Sequence, residues 1–296
     1  MKRGLYISII LLLATTGFAQ RTNWQKALSC YQQDSLVCAA EYIDASIEDS
    51  SESKDAYAWH IRGFVYKSIF DNSKNPDKRS SARAIAIESF DKSLELDTIG
   101  DLSRNNKQGI KTLGVSFYND GVRKLNRFNV QGALKDLDKH NITMRLVEPG
   151  YYNKEREFAI KKKSGIIYMD RYNDNKEENE IYFKKATEMF NEVLEIDSND
   201  FLANLNSGVL YHNLAVDLLV KTKPELSILE VMELQEKHVN NMQRSLAYMT
   251  KAYTLKPNHP GVIRALAGAY YALHETEKYE FYNQKLLKLE GSHGNE

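Results

Sequence analysis

Residues 203–211, ANLNSGVLY, place Gly208 three residues ahead of Tyr211 inside a segment whose apolar positions recur at helical spacing. The same Gly-x-x-Tyr core returns as Gly63/Tyr66, Gly165/Tyr168 and Gly268/Tyr271. With 15 Gly and 18 Tyr in 296 residues, roughly one such pair is expected by chance, against the four present. A core recurring in helical segments marks a repeat. The chain is therefore read as all-α, in agreement with its 5 prolines and its scarcity of alternating β-branched runs.

A glycine inside a helix costs about 1 kcal/mol relative to alanine, so its return at one helical phase requires a compensating contact. Lacking a Cβ, it admits a second helix at close range. That second helix should carry its own small residue followed by larger ones on the same face. Such sets follow as Ala86/Phe90/Ser93, Ala133/Leu137/His140, Ala186/Phe190/Val193 and Ser245/Met249/Ala252, each at i, i+4, i+7.

These paired patterns resemble the tetratricopeptide repeat family, whose helix-turn-helix unit has about 34 residues. Trp59, Gly63, Tyr66, Ala86 and Phe90 resemble one unit; Gly121, Ala133 and Leu137 a second; Gly165, Tyr168, Ala186 and Phe190 a third. Gly208, Tyr211, Ser245, Met249 and Pro257 resemble a fourth, and Gly268, Tyr271, Tyr279 and Leu286 a fifth, with a weaker first unit at Trp24, Leu28, Tyr31, Ala39 and Ile43. Gly114-x-x-Phe117 also fits the first-helix pattern, but Gly121 has the family's interval to Ala133. The resemblance implies a right-handed superhelical array of antiparallel helix pairs, an α-solenoid of about five to six units. The glycines at 63, 121, 165, 208 and 268 stand further apart than the family repeat, so loops or helices are lengthened.

Lys2 and Arg3 precede an apolar run from Leu5 to Ala14 and then Gly17-Phe18-Ala19, the pattern of a signal peptide over residues 1–19. The run is short for a bilayer about 30 Å thick, leaving no transmembrane span after cleavage; an uncleaved anchor is the alternative. Residues 20–290 read as one helical repeat domain, and 291–296 as a frayed tail. The formal charge is zero, or −2 without Lys2 and Arg3, which does not fit a strongly basic nucleic-acid binder. The implied location is periplasmic.

Cys30 and Cys38, the only cysteines, flank an expected turn at Asp34 and Ser35. They are either a disulfide pinning the first hairpin or two small buried thiols. Asp71–Ser80 and Asp174–Glu180 read as polar loops, Thr98–Asn106 as a break, and Glu148-Pro149-Gly150 as a turn. Near 225–256 the apolar spacing predicts one long helix, with Pro224 in its first turn and Pro257 as its stop.

No H-E-x-x-H, G-x-S-x-G, P-loop, G-x-G-x-x-G or C-x-x-C motif occurs, and the seven histidines show no ligand spacing on one helix. Neither a catalytic group nor a metal or cofactor is expected, and the reading is not an enzyme. The resemblance instead implies a scaffold that binds a protein or peptide of the cell envelope along the concave face of its first helices. Carried over by position, Tyr57, His60, Phe64, Lys67, Tyr118, Lys162, Asn206, His212 and Asn213 fall on that face. Family members that clamp a C-terminal carboxylate have Lys and Asn where this chain has His60 and Phe64, so that clamp is not expected. Glycan capture is the alternative, with Trp24 and Trp59 for stacking on sugars.

Overall fold

The computed structural model describes residues 21–176, 178, 180–220 and 225–292. The signal segment, Pro224 and residues 293–296 lie outside them. Twelve α-helices and no strand occur among the described residues. They are α1 (Asn23–Gln32), α2 (Leu36–Glu48), α3 (Ala56–Asn72), α4 (Pro76–Leu96), α5 (Ser103–Leu125), α6 (Val130–Arg145), α7 (Lys154–Asp174), α8 (Glu180–Ile196), α9 (Phe201–Val220), α10 (Ile228–Leu255), α11 (Pro260–Ala272) and α12 (Thr276–Ser292). The architecture is all-α, built of consecutive antiparallel pairs, of the α-solenoid class.

The described residues fall into two compact units. One runs up to Asn119 and includes Asp138–Tyr152; the other comprises Asp120–Leu137 and the residues from Asn153 onward. Residues of α5 and α6 contribute to both.

Local chemistry explains where the helices begin. Thr22 and Ser227 form capping boxes with Gln25 and Glu230, which satisfies amides that have no partner within the helix. Asn75 accepts from the amides of Asp77 and Lys78, while Pro76 opens α4 where its missing N–H costs nothing. The expected loop at Asp71–Ser80 is thus only Ser73–Asn75, because Asn-Pro here starts a helix instead of prolonging a turn. The break expected over Thr98–Asn106 likewise ends early, with α5 beginning at Ser103. The long helix near 225–256 is α10, started by the Ser227 cap.

Three pairs share one turn. Asp34, Phe128 and His274 stand in the left-handed region at φ 57°, 59° and 59°. After them the amides of Ser35, Asn129 and Glu275 reach back to the carbonyls of Cys30, Lys124 and Tyr270. The amides of Asp34, Phe128 and His274 bond the carbonyls of Tyr31, Leu125 and Tyr271. This double closure is a Schellman motif made without glycine. Within the first, Cys30 and Cys38 stand as a disulfide with Cα atoms 5.8 Å apart.

The shared turn also sets a register. Five residues after the left-handed position come Ala39, Ala133 and Tyr279; twelve residues before these stand Ala27, Gly121 and Ala267. This interval is tetratricopeptide-like. It moves the last unit by one residue from the Gly268/Tyr271 reading. Tyr270 stacks on Tyr282 of α12 at 5.6 Å, while Tyr271 is 68% exposed and touches α12 only at its start, through the ring of Tyr279 at 5.3 Å. Gly268 faces His212 of α9 instead of its own partner helix. The physical reason is helical phase: one residue rotates a side chain by roughly 100°.

The remaining glycines pack as the pattern requires. Gly63, Gly165 and Gly208 face Phe90, Phe190 and Met249 of their partner helices, and Gly121 faces the backbone of Ala133. Ala86, Ala133, Ala186, Phe90, Phe190 and Ser245 have no exposed surface. Tyr168 and Tyr211 are buried, and Tyr66 closes its environment by donating to Asp44 at 2.5 Å. Side chains of second helices also satisfy first-helix carbonyls: Ser93 bonds Ala56, Ser245 bonds Gly208 and His238 bonds Ala215, all at 2.8 Å. Such bonds fix the axial offset within a pair, because a slip of one residue leaves a buried hydroxyl or imidazole unpaired.

Candidate functional site: the faces of the first helices

In the first unit, the first helices meet in a row of rings. Trp24 of α1 stacks on Tyr57 of α3 with centroids 5.8 Å apart and planes at 23°. Tyr57 meets His60 edge-on at 6.4 Å, His60 meets Phe64 at 4.9 Å, and Phe64 meets the buried Phe90 at 5.0 Å. The row thus runs from Tyr57, 46% exposed, into the core. Its outer end is held by Glu52, which accepts from the backbone amides of Asn23 and Trp24 and from the Ser46 hydroxyl.

His60 is the hinge of this row, and a polar relay fixes it. Its Nδ1 donates to Asn106 Oδ1 at 2.6 Å; Asn106 Nδ2 donates to Ser93 Oγ at 2.8 Å; Ser93 donates to the Ala56 carbonyl at 2.8 Å. Every acceptor in that chain has its donor, which leaves Nε2 of the neutral ring as an acceptor. Burial pushes the His60 pKa down, against the opposing pulls of the Asn106 hydrogen bond and Asp97. Asn106 is fully buried and was not singled out from the sequence. The available signal was an asparagine inside an otherwise helical stretch, a residue type that helix interiors disfavour without a partner.

Two other positions carried to this face have mundane partners. Lys67 pairs with Asp71 one turn later at 2.7 Å, an i, i+4 surface pair. Tyr118 lies 5.8 Å from the ring of His140, whose Nδ1 donates to the Gly114 carbonyl and whose Nε2 accepts from Tyr151.

In the second unit, Lys162 pairs with Asp200 at 2.7 Å, tying α7 to the cap of α9, where Asp200 also accepts from the Ala203 amide. His212 is half-buried against the backbone at Gly268, and burial together with His238 holds its pKa below the usual value. Asn206 and Asn213 stand half-exposed on α9, seven residues apart and on one face, with Val209 between them. Neither amide makes a side-chain hydrogen bond among the described residues. Ala269 of α11 is wholly buried.

Among the described residues, no group of three His, Cys, Asp or Glu is placed to hold a metal ion, and no helix is long and apolar enough to cross a membrane. No family model matches the chain, and no curated protein matches it. Similar solved structures include the following two. A TPR repeats protein from Bacteroides fragilis NCTC 9343 is 15% identical, covers 86% of this chain and 97% of its own, and has a TM-score of 0.46. The human IFIT1 dimer with m7Gppp-AAAA is 15% identical and has a TM-score of 0.36, covering 95% of this chain, which spans 62% of that one.

Proposed function

We propose that the protein is a non-enzymatic scaffold that binds an extended polypeptide segment of another protein along the α9 face, outside the cytoplasm. The observation that carries this reading is the pair Asn206 and Asn213, whose amides have no partner among the described residues. Each amide offers a donor and an acceptor, the complement of a peptide backbone. Two helical turns separate them by about 10 Å, the span of about three residues of extended chain. The intervening Val209 offers apolar contact between the two polar anchors. The lysines and arginines of the first-helix faces that have carboxylate partners, such as Lys67 and Lys162, are already neutralised locally and add little attraction.

The extracytoplasmic part of the reading is supported by the disulfide and by the signal-like segment at residues 1–19. A random peptide library panned against the full chain tests the whole. Enriched extended sequences are expected, with Asn206→Ala/Asn213→Ala weakening them about tenfold or more at unchanged melting temperature. Retained affinity in that double variant would remove the α9 face from the reading.

A second reading, glycan capture, is favoured by one observation, the half-exposed Trp24/Tyr57 stack. Titration with oligosaccharides, in the native chain and in Tyr57→Ala, separates it from peptide binding. Heat released with sugars and lost in the variant would favour it.

A further inference from the structure

Each unit has a groove between neighbouring helix pairs, and the two grooves differ in chemistry. In the first unit a groove of about 450 Å³ lies between the start of α2, the C-terminal half of α3 and the start of α4. In the second unit a groove of about 380 Å³ lies between the α5–α6 turn, α7 and α8. The repeat aligns them residue by residue, because Gly63, Tyr66 and Ala86 correspond to Gly165, Tyr168 and Ala186. On that alignment Ile69, Ala82 and Ile85 in the first groove become Arg171, Tyr182 and Lys185 in the second, and in the register that matches Ala39 with Ala133, Val37 becomes Gln131. The framework therefore accepts an apolar lining at these positions. The cations in the second groove are not required by the fold.

Their arrangement is specific. Tyr168 and Tyr182 stack with centroids 5.8 Å apart and planes at 17°. The Lys185 ammonium stands 5.6 Å and 5.7 Å from those two rings, and the Arg171 guanidinium lies 5.5 Å from Tyr182. Arg171 also donates to the carbonyl of Phe128 at 2.6 Å, which ties it to the left-handed turn. Arg127 completes a set of three cations, and no carboxylate is among the described residues lining the groove. Glu188 acts on the Tyr168 hydroxyl from outside that lining. Arg127 and Lys185 have no ion pair among the described residues. The first groove, by contrast, carries Glu41 and Asp44 against Lys78.

We infer that the second groove is a binding site for a phosphate-type dianion carried on a small organic body. Arg127 and Lys185, the two groove cations with no ion pair among the described residues, match the charge of about −1.5 to −2 that a phosphomonoester brings together with several acceptor oxygens. Arginine forks suit such an anion in geometry, and Lys185 adds a mobile point charge. The cavity is larger than the anion alone requires, and the tyrosine rings offer apolar contact to the attached body. This site is separate from the α9 amides, so it stands or falls independently of the polypeptide-binding reading.

Isothermal titration of the full chain with phenyl phosphate, inorganic phosphate and benzoate, at low and high salt, tests it. Phenyl phosphate is expected to bind best, with affinity falling as salt rises. Lys185→Ile, which installs the residue of the first groove, and Arg127→Gln are each expected to weaken binding about tenfold. The unliganded variants should melt as the native chain does; should Lys185→Ile fold poorly, the exposed Arg127→Gln carries the test alone. No measurable binding of phenyl phosphate, equal binding by Arg127→Gln, or equal binding of benzoate or inorganic phosphate would overturn the assignment.

Discussion

A Cβ placed on Gly165 would lie 2.6 Å from Cε1 of Phe190, closer than packed carbon atoms approach. The glycine and the ring therefore define how near α7 and α8 come, and neither can change alone. The same relationship links Gly63 to Phe90, and Phe90 is used twice, since Gly109 of α5 abuts the ring as well. One side chain thus sets two interhelical distances in the first unit.

From this follows an ordering of glycine substitutions. Gly165→Ala gains about 1 kcal/mol of helix propensity but overpacks a rigid ring, for a net loss of about 1–2 kcal/mol. Gly208→Ala meets Met249, a flexible side chain that yields more easily, and should cost less. Urea denaturation ranks the two; an alanine at 165 more stable than the native glycine would contradict the packing argument.

The register of the last pair is tested by adjacent tyrosines. Tyr270→Ala removes the stack on Tyr282 and a contact with the buried cluster of Met249, Val262 and Leu266, at a cost of about 2–3 kcal/mol. Tyr271→Ala removes a mostly exposed ring whose one ring contact is Tyr279 and should cost less than about 1 kcal/mol. The reverse order would restore the register centred on Gly268.

Breaking the Cys30–Cys38 bridge opens a short loop. The chain-entropy estimate for a loop of this length gives a loss of about 2–3 kcal/mol, concentrated in α1 and α2. Hydrogen exchange of the first pair with and without reductant measures it. Two reactive thiols in unreduced, denatured protein would show that the bridge is not formed.

Stability should also depend on pH above the carboxylate range. His60 and His212 have folded pKa values below the unfolded value of about 6.5, both chiefly through burial. Between the two values the unfolded chain binds more protons. Their contribution is thus fully present above about pH 6.5 and is lost as pH falls through the folded values. Urea midpoints between pH 7.5 and 5.5 should decline, and His212→Gln should flatten the decline. A pH-independent midpoint in the native chain would count against neutral buried imidazoles.

The candidate face was legible only in part. Asn206 and Asn213 are visible from spacing, because seven residues return a helix to nearly the same azimuth. His60 and Phe64 were also placed on the first-helix face, yet the structure shows them spanning from that face into the core. Position in a motif specifies a direction along and around one helix. It does not specify how deep the neighbouring helix covers it.

The sequence by itself determined the helical periodicity, the recurrence of small residues and the turn at Asp34, since each is a pattern along the chain that needs no knowledge of which helices meet. Only the tertiary structure decided that Ala267 and not Gly268 aligns with Ala27 and Gly121, that Asn106 joins His60 to Ser93, and that Arg171, Tyr182 and Lys185 share one groove with the turn at Phe128. These are meetings of side chains from separate helices, fixed by interhelical offset and rotation. A one-residue change of phase, invisible in a composition or a period, turns a packed ring into an exposed one.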